Sequence, residues 1–168
     1  MPFILRKATP GDLDAIMAIE TPTFGTDAWS PDTMSSELAS EHTVYLVATE
    51  SEPAAAEAAG SGAAQVVVGY AGLLAPLHNG DADIQTIAVA PSVRQRGLGR
   101  MLMVAVLRHA VDRGDPNVFL EVRADNPNAQ ALYVSLGFEQ IAVRPHYYQP
   151  DDVSAHIMRL TIPEGSRS

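Results

Sequence analysis

Cysteine is absent from the 168 residues, which excludes disulfides, thiolate metal sites and a cysteine nucleophile. The five histidines, His42, His78, His109, His146 and His156, show no pair at ligand spacing on a recognisable helix face, so no metal is expected. No apolar run reaches the ~18 residues a spanning helix needs, and the opening MPFILRKATP carries no signal-peptide pattern. The expectation is therefore a cytoplasmic protein with no membrane role. Basic residues are scarce: 11 Lys and Arg against 20 Asp and Glu leave a net charge of −9, which argues against a general nucleic-acid partner. That charge is compatible with a cationic substrate, although acidity that serves only solubility is commoner. Internal repeats are also missing.

What is present is the composition of an ordinary folded protein, with 46% hydrophobic and 18% charged residues, enough for one domain over 1–162 and a disordered tail over 163–168. Lys7 is the one lysine, whereas ten arginines occur, of which Arg94, Arg96 and Arg100 fall within seven residues. An acidic chain that gathers arginines in one short segment is expected to meet an anion there. Phe3 to Ala8 reads as a strand. Thr9 and Pro10 read as N-cap and first residue of a helix through about Ile19. Glu20 to Trp29 reads as a loop, too aromatic at Phe24 and Trp29 to be a mere spacer. Ser30-Pro31 starts a second helix to about Leu38. Val44 to Thr49 and Gln65 to Leu74 are predicted strands, and the Ala/Gly/Ser-rich stretch between them, 50–64, is predicted to be a flexible hairpin insertion.

The chemistry lies in the second half. Ala82 to Val89 is a predicted strand ending at Ala90-Pro91. Beyond it, Leu98, Met101, Leu102, Ala105 and Val106 follow the i, i+3, i+4, i+7, i+8 spacing of an amphipathic helix that stops near Gly114. Between strand and helix lies Arg94-Gln95-Arg96-Gly97-Leu98-Gly99. A helix start presents unpaired N–H groups and partial positive charge, glycines let a backbone approach closely, and arginines add charge, which together suit a pyrophosphate. No Gly-Lys-Ser/Thr follows, so this is no P-loop, and the third glycine of a dinucleotide fingerprint is missing. Asn117 to Arg123 then alternates as a strand, with Phe119, Glu121 and Arg123 on one face and Leu120 and Val122 on the other. Asn126-Pro127 opens a helix with the stripe Ala129, Leu132, Tyr133 and Leu136, capped at Gly137, and Phe138 begins another strand through Val143.

The R-x-x-G-x-G string, with IQTIAV before it and LEVRADN and ALYVSLGF after it, resembles the acetyl-CoA site of the GCN5-related N-acetyltransferases, the GNAT family. With an early Trp29-Ser30-Pro31 and a later Tyr147-Tyr148, the chain looks most like the RimI-type ribosomal-protein-alanine N-acetyltransferases. The resemblance spans Phe3 to Leu160 with the hairpin insertion set aside; the Ala-rich insertion and Arg144-Pro145-His146 depart from the RimI pattern.

That resemblance implies an α/β (α+β) fold: a mixed six- to seven-stranded sheet, splayed between strands 4 and 5, with about four helices packed on both faces. Acetyl-CoA is the implied co-substrate, without a metal. By resemblance Ile87, Ala88 and Val89 pair with its pantetheine, while Arg94, Gln95, Arg96, Gly97, Leu98, Gly99 and Arg100 hold its pyrophosphate. Asn126 matches a position that hydrogen-bonds the cofactor, and equally suits a helix N-cap.

Glu121 is the implied general base, its pKa expected to rise by desolvation in an apolar strand, and Tyr133 the implied acid, a phenol near ~10 facing a thiol near ~8.5. The alternatives are an ion pair of Glu121 with Arg123 and a core Tyr133 with its hydroxyl tied up. Phe24, Trp29, Tyr147 and Tyr148 are the implied walls of a peptide groove, or else packing residues.

The implied partner is a protein N-terminal peptide, the alanine terminus of a small-subunit ribosomal protein, acted on by a monomer or weak homodimer. An α-amine near ~7.8 is roughly one part in seven neutral at pH 7, against about one in several thousand for lysine, so one tuned carboxylate suits the α-amine better. Acetylation of a small amine (polyamine, antibiotic or amino acid) and a non-catalytic CoA-binding module remain as alternatives.

Overall fold

Strands rich in Val, Leu, Ile and Tyr hydrogen-bond into one seven-stranded sheet in the computed structural model, which describes residues 3–50, 66–75 and 80–163. The strands are β1 (Phe3–Lys7), β2 (Thr43–Glu50), β3 (Val67–Leu74), β4 (Ala82–Val89), β5 (Asn117–Arg123), β6 (Glu139–Tyr148) and β7 (Val153–Thr161). They lie in the order β1-β2-β3-β4-β5-β7-β6, antiparallel throughout except for the β4/β5 pair. Among the described residues lie four α-helices: α1 (Leu13–Phe24), α2 (Pro31–Ala39), α3 (Leu98–Arg113) and α4 (Pro127–Ser135).

Period-2 alternation distributes side chains to two cores. On β2, Leu46 and Ala48 join Leu98, Leu102 and Val106 of α3 and Tyr133 of α4, while Tyr45 and Val47 join Ile16 and Ile19 of α1 and Met34 of α2. Both faces of the sheet are thus covered by helices, as expected. Gly72 stands opposite Tyr45 on the neighbouring strand. A Cβ there would lie 2.2 Å from the ring, so only glycine lets the aromatic lie flat on the sheet.

Two irregularities shape the centre. Thr86 pairs with Gly72, but Ile84 pairs with Leu73, so Gln85 is an extra residue on β4. One inserted residue exchanges the faces of everything after it. Ile84 packs in the α3 core, and so do Ile87 and Val89 beyond the bulge, whereas Thr86 and Ala88 turn toward α1. The second irregularity is the splay: β4 and β5 pair only at Ala82 with Val118 and at Asp83 with Phe119. From Ile84 and Leu120 onward the two strands part, while β5 stays paired with β7 along its whole length.

The first helix departs from the expectation. Thr9 and Pro10 open a single 3-10 turn, Pro10–Asp12, where the Asp12 carboxylate accepts from the Thr9 N–H at 2.8 Å. The α-helix then runs on through Phe24 with Pro22 inside it. An interior proline loses one helix hydrogen bond and argues for an earlier stop; burial of Ile16 and Ile19 and packing of Phe24 against the second core carry the helix past it. Of the expected loop only the 3-10 turn Gly25–Asp27, Ala28 and Trp29 remain. β6 also extends beyond Val143 to Tyr148. Residues 51–64 of the predicted insertion, Gln65 of the strand predicted after it and 164–168 of the predicted tail lie outside the described residues, as does His78. Among the described residues no helix is long and apolar enough to cross a membrane.

Candidate active site

Among the described residues the splay leaves one edge of β4 without a strand partner from Ile84 to Val89. Ile87, Ala88 and Val89 pair with β3 on their other side, and their side chains pack in the two cores. What they offer to the opening is main chain alone. One of those groups, the Val89 carbonyl, accepts from Arg94 Nε at 3.1 Å.

From Val89 the chain makes a 3-10 turn, Pro91–Val93, and enters α3 through Gln95 at φ 65° and Gly97 at φ 81°. The left-handed torsion at Gly97 is where glycine is needed. A Cβ there would meet nothing within 4 Å, so the space above this turn is open. No side chain caps α3, whereas Ser30 caps α2 through the Thr33 N–H and Asn126 caps α4 through the Ala129 N–H at 3.2 Å. The first-turn amides of Leu98, Gly99 and Arg100 therefore have no side-chain cap, and the Leu98 side chain is buried. The arginines are not a free reserve of charge. Arg96 reaches Glu50 at 3.3 Å and stacks on Phe3, and Arg100 donates to the Ser135 hydroxyl. The Asn126 side-chain oxygen serves as the helix cap, the rival role the sequence offers.

Across the opening, Glu121 projects from the outer face of β5 and its side chain is 35% exposed, accepting from Arg144 Nη1 at 3.0 Å. The apolar burial expected of it is absent, because only Val118, Leu120 and Val122 of this strand face the core. Nor does Glu121 pair with Arg123. That guanidinium is taken by Asp27 at 2.5 Å, Asp125 at 3.0 Å and Asp151 at 3.1 Å. Arg144 stacks on Tyr147, Tyr147 meets Tyr148 edge to face at 5.0 Å, and Arg123 lies over Tyr148. The Glu121 carboxylate, then burial, hold the Tyr147 phenol above its ordinary value. Burial first, and the Glu121 charge second, push Tyr148 up to about 12. Asp83, at the vertex of the splay, is also raised, by burial and then by the charges of Glu121 and Asp81.

Tyr133 sits on α4, 7% exposed, edge-on to Phe138 at 6.1 Å. Its hydroxyl makes no hydrogen bond to any described residue. Burial pushes its pKa up to about 12. Phe24 and Trp29 are partly buried and pack against the second core, and the Trp29 backbone N–H donates to Glu20 at 3.0 Å. The turn between them still reaches the site, through Asp27 and Arg123. Sequence patterns singled out Arg144 without its pairing to Glu121, and missed Asp83 and Glu20. Each takes its place by contacts across strands or between helix and sheet, which no local spacing encodes.

The model of the acetyltransferase (GNAT) family matches residues 13–138. The chain is 34% identical to the N-alpha-acetyltransferase RimI of Mycobacterium tuberculosis, over 94% of this chain and 92% of that protein. It is 35% identical, again over 94% of its length, to an uncharacterised protein of Mycobacterium leprae, of which it spans only 40%. The crystal structure of the ribosomal-protein-S18-alanine N-acetyltransferase from Escherichia coli aligns with a TM-score of 0.79 at 30% identity, covering 96% of this chain and 94% of that one.

Proposed function

The chain belongs to the acetyltransferase (GNAT) family, and on that premise we propose that it acetylates the N-terminal α-amine of a protein, foremost an alanine-starting ribosomal protein. The observation that carries the reading is the opening itself: a free main-chain edge on β4 that leads to an uncapped helix start, faced by an exposed carboxylate on β5. Likeness to RimI-type proteins along nearly the whole chain supports the choice of acceptor.

Acetyl-CoA supplies the activated acetyl thioester. The chain's own groups fit it: main-chain donors and acceptors at Ile87 to Val89 suit the amides of its pantetheine arm, and open amides beside Gly97 suit its pyrophosphate. Glu121, directly or through a water, takes the proton of the attacking amine, and the acceptor displaces Arg144 from it. The demand on it is light for an α-amine, of which roughly one part in seven is already neutral at pH 7.

Tyr133 acts on the leaving sulfur. With its pKa up to about 12 and a thiol near ~8.5, full proton transfer is uphill by roughly 5 kcal/mol. Its part is therefore that of a hydrogen-bond donor that stays protonated, steadying the thiolate as it departs.

An acetylation assay against a library of N-terminal peptides and free small amines, read by mass of the modified atom, tests the reading. Alanine-starting peptides should be modified at the α-nitrogen with the highest kcat/KM. A polyamine, amino acid or antibiotic that outperforms them would overturn it.

A further inference from the structure

Glu20 is 1% exposed and held by three neutral donors from three elements. One carboxylate oxygen accepts from the hydroxyls of Tyr70 on β3 and Thr86 on β4, the latter at 2.9 Å, and the other from the Trp29 backbone N–H at 3.0 Å. Tyr70 and Thr86 are themselves buried. A carboxylate is a costly way to fill a core position, since every lone pair must be satisfied; its use here is directional. It fastens the end of the Gly25–Asp27 turn to the strand that forms one wall of the splay. The same turn is fastened to the other wall, because Asp27 pairs with Arg123 of β5, and Arg123 in turn lies over Tyr148 beside Tyr147 and Glu121.

We infer that Glu20 is a positioning residue for the acceptor side of the opening: through Trp29 and the Asp27–Arg123 pair it latches one short turn across both walls and so sets the aromatic pair against Glu121. The inference rests on the acceptor reading above. The Gln85 bulge is what makes the latch geometrically available, since it turns Thr86 toward α1.

Trp29 is the chain's single tryptophan, so its fluorescence reports on the latched segment without reference to activity. Glu20→Leu removes the acceptor for all three donors. Glu20→Gln keeps the latch, because the amide oxygen can take the Trp29 N–H while its NH₂ donates to the two hydroxyls. Expected for Glu20→Leu are a rise of about twofold in acrylamide quenching of Trp29 and of about tenfold in KM for an alanine-starting peptide, with KM for acetyl-CoA within about twofold of wild type. Glu20→Gln should stay within about twofold of wild type in all three. Tyr70→Phe, which keeps the ring in the core and deletes one donor, should give smaller changes in the same direction and serves if Glu20→Leu does not fold.

Unchanged quenching in a folded Glu20→Leu or Tyr70→Phe protein overturns the latch. So does a rise in KM for acetyl-CoA in step with that for peptide, which marks general loosening. If the wild-type protein leaves alanine-starting peptides unmodified, the acceptor reading falls, and the latch is then judged on Trp29 quenching and on KM for whichever amine the library returns.

Discussion

Tyr133→Phe separates the chemical role of the hydroxyl from the packing role of the ring. The ring is buried and edge-on to Phe138, and the hydroxyl gives up no hydrogen bond to a described residue when removed, so stability at pH 7 should change by less than about 0.5 kcal/mol.

At high pH the two proteins part. Burial raises the folded-state pKa of Tyr133 to about 12, above an unfolded value near ~10, so above pH 10 the unfolded chain sheds a proton that the folded chain keeps. Stability falls wherever the unfolded state binds fewer protons. The contribution of this one phenol is therefore fully present below pH 10 and lost as pH rises toward 12. At pH 11, midway between the two values, the loss is roughly 1 kcal/mol, on the way to roughly 3 kcal/mol above pH 12. Urea unfolding of wild type and Tyr133→Phe at pH 8, 10 and 11 isolates this term, because the other tyrosines are common to both. In parallel, turnover on an alanine-starting peptide should drop on the order of 10²-fold while acetyl-CoA affinity stays unchanged. If the two proteins lose stability in parallel up to pH 11, the phenol is not desolvated. If turnover survives in the folded variant, Tyr133 is a packing residue.

Glu121→Gln keeps shape but removes the base, so turnover should fall by about 10²–10⁴-fold near neutrality and recover in part as rising pH deprotonates the amine unaided; a flat pH dependence of the defect would count against the role. Gly97→Asp should weaken CoA binding in calorimetry by at least about tenfold relative to Gly97→Asn, since both share the strain of φ 81° but only one sets a carboxylate beside the open amides; equal affinities would remove the pyrophosphate from this turn. Asp12, gripped by both Arg6 nitrogens at 2.8 Å, has its pKa held down to about 2. Its stabilisation is present at neutral pH and lost as pH falls through that value. With Arg6 43% exposed, Asp12→Asn should cost roughly 1–2 kcal/mol at pH 7 and progressively less between about pH 4 and pH 2, as followed by chemical unfolding.

The sequence by itself determined the local pieces. β4 and β5 occupy the residues predicted for them, Ala82–Val89 and Asn117–Arg123, and α3 starts at Leu98 and ends at the left-handed Gly114. Such features follow from backbone torsions and from a repeat of 2 or 3.6 residues, which a few neighbouring side chains are enough to specify. The turn at Gly97 belongs with them, because a left-handed torsion before a helix is written in the glycine that adopts it. Tertiary structure decided everything that depends on what stands opposite. Glu121 alternates as expected, yet whether its face is buried or open, and that Arg144 rather than Arg123 meets it, was settled by how β6 and β7 fold back from 23 residues away. Glu20 sits in what reads as the start of a loop; its burial required partners 50 and 66 residues further on. The bulge at Gln85, which chooses the side Thr86 faces, has no signature in the string ADIQTIAV, because it is a mismatch between two strands rather than a property of one. Local torsions cost the same wherever a segment lies in the fold. The burial and pairing of a charge are fixed only when distant segments close around it.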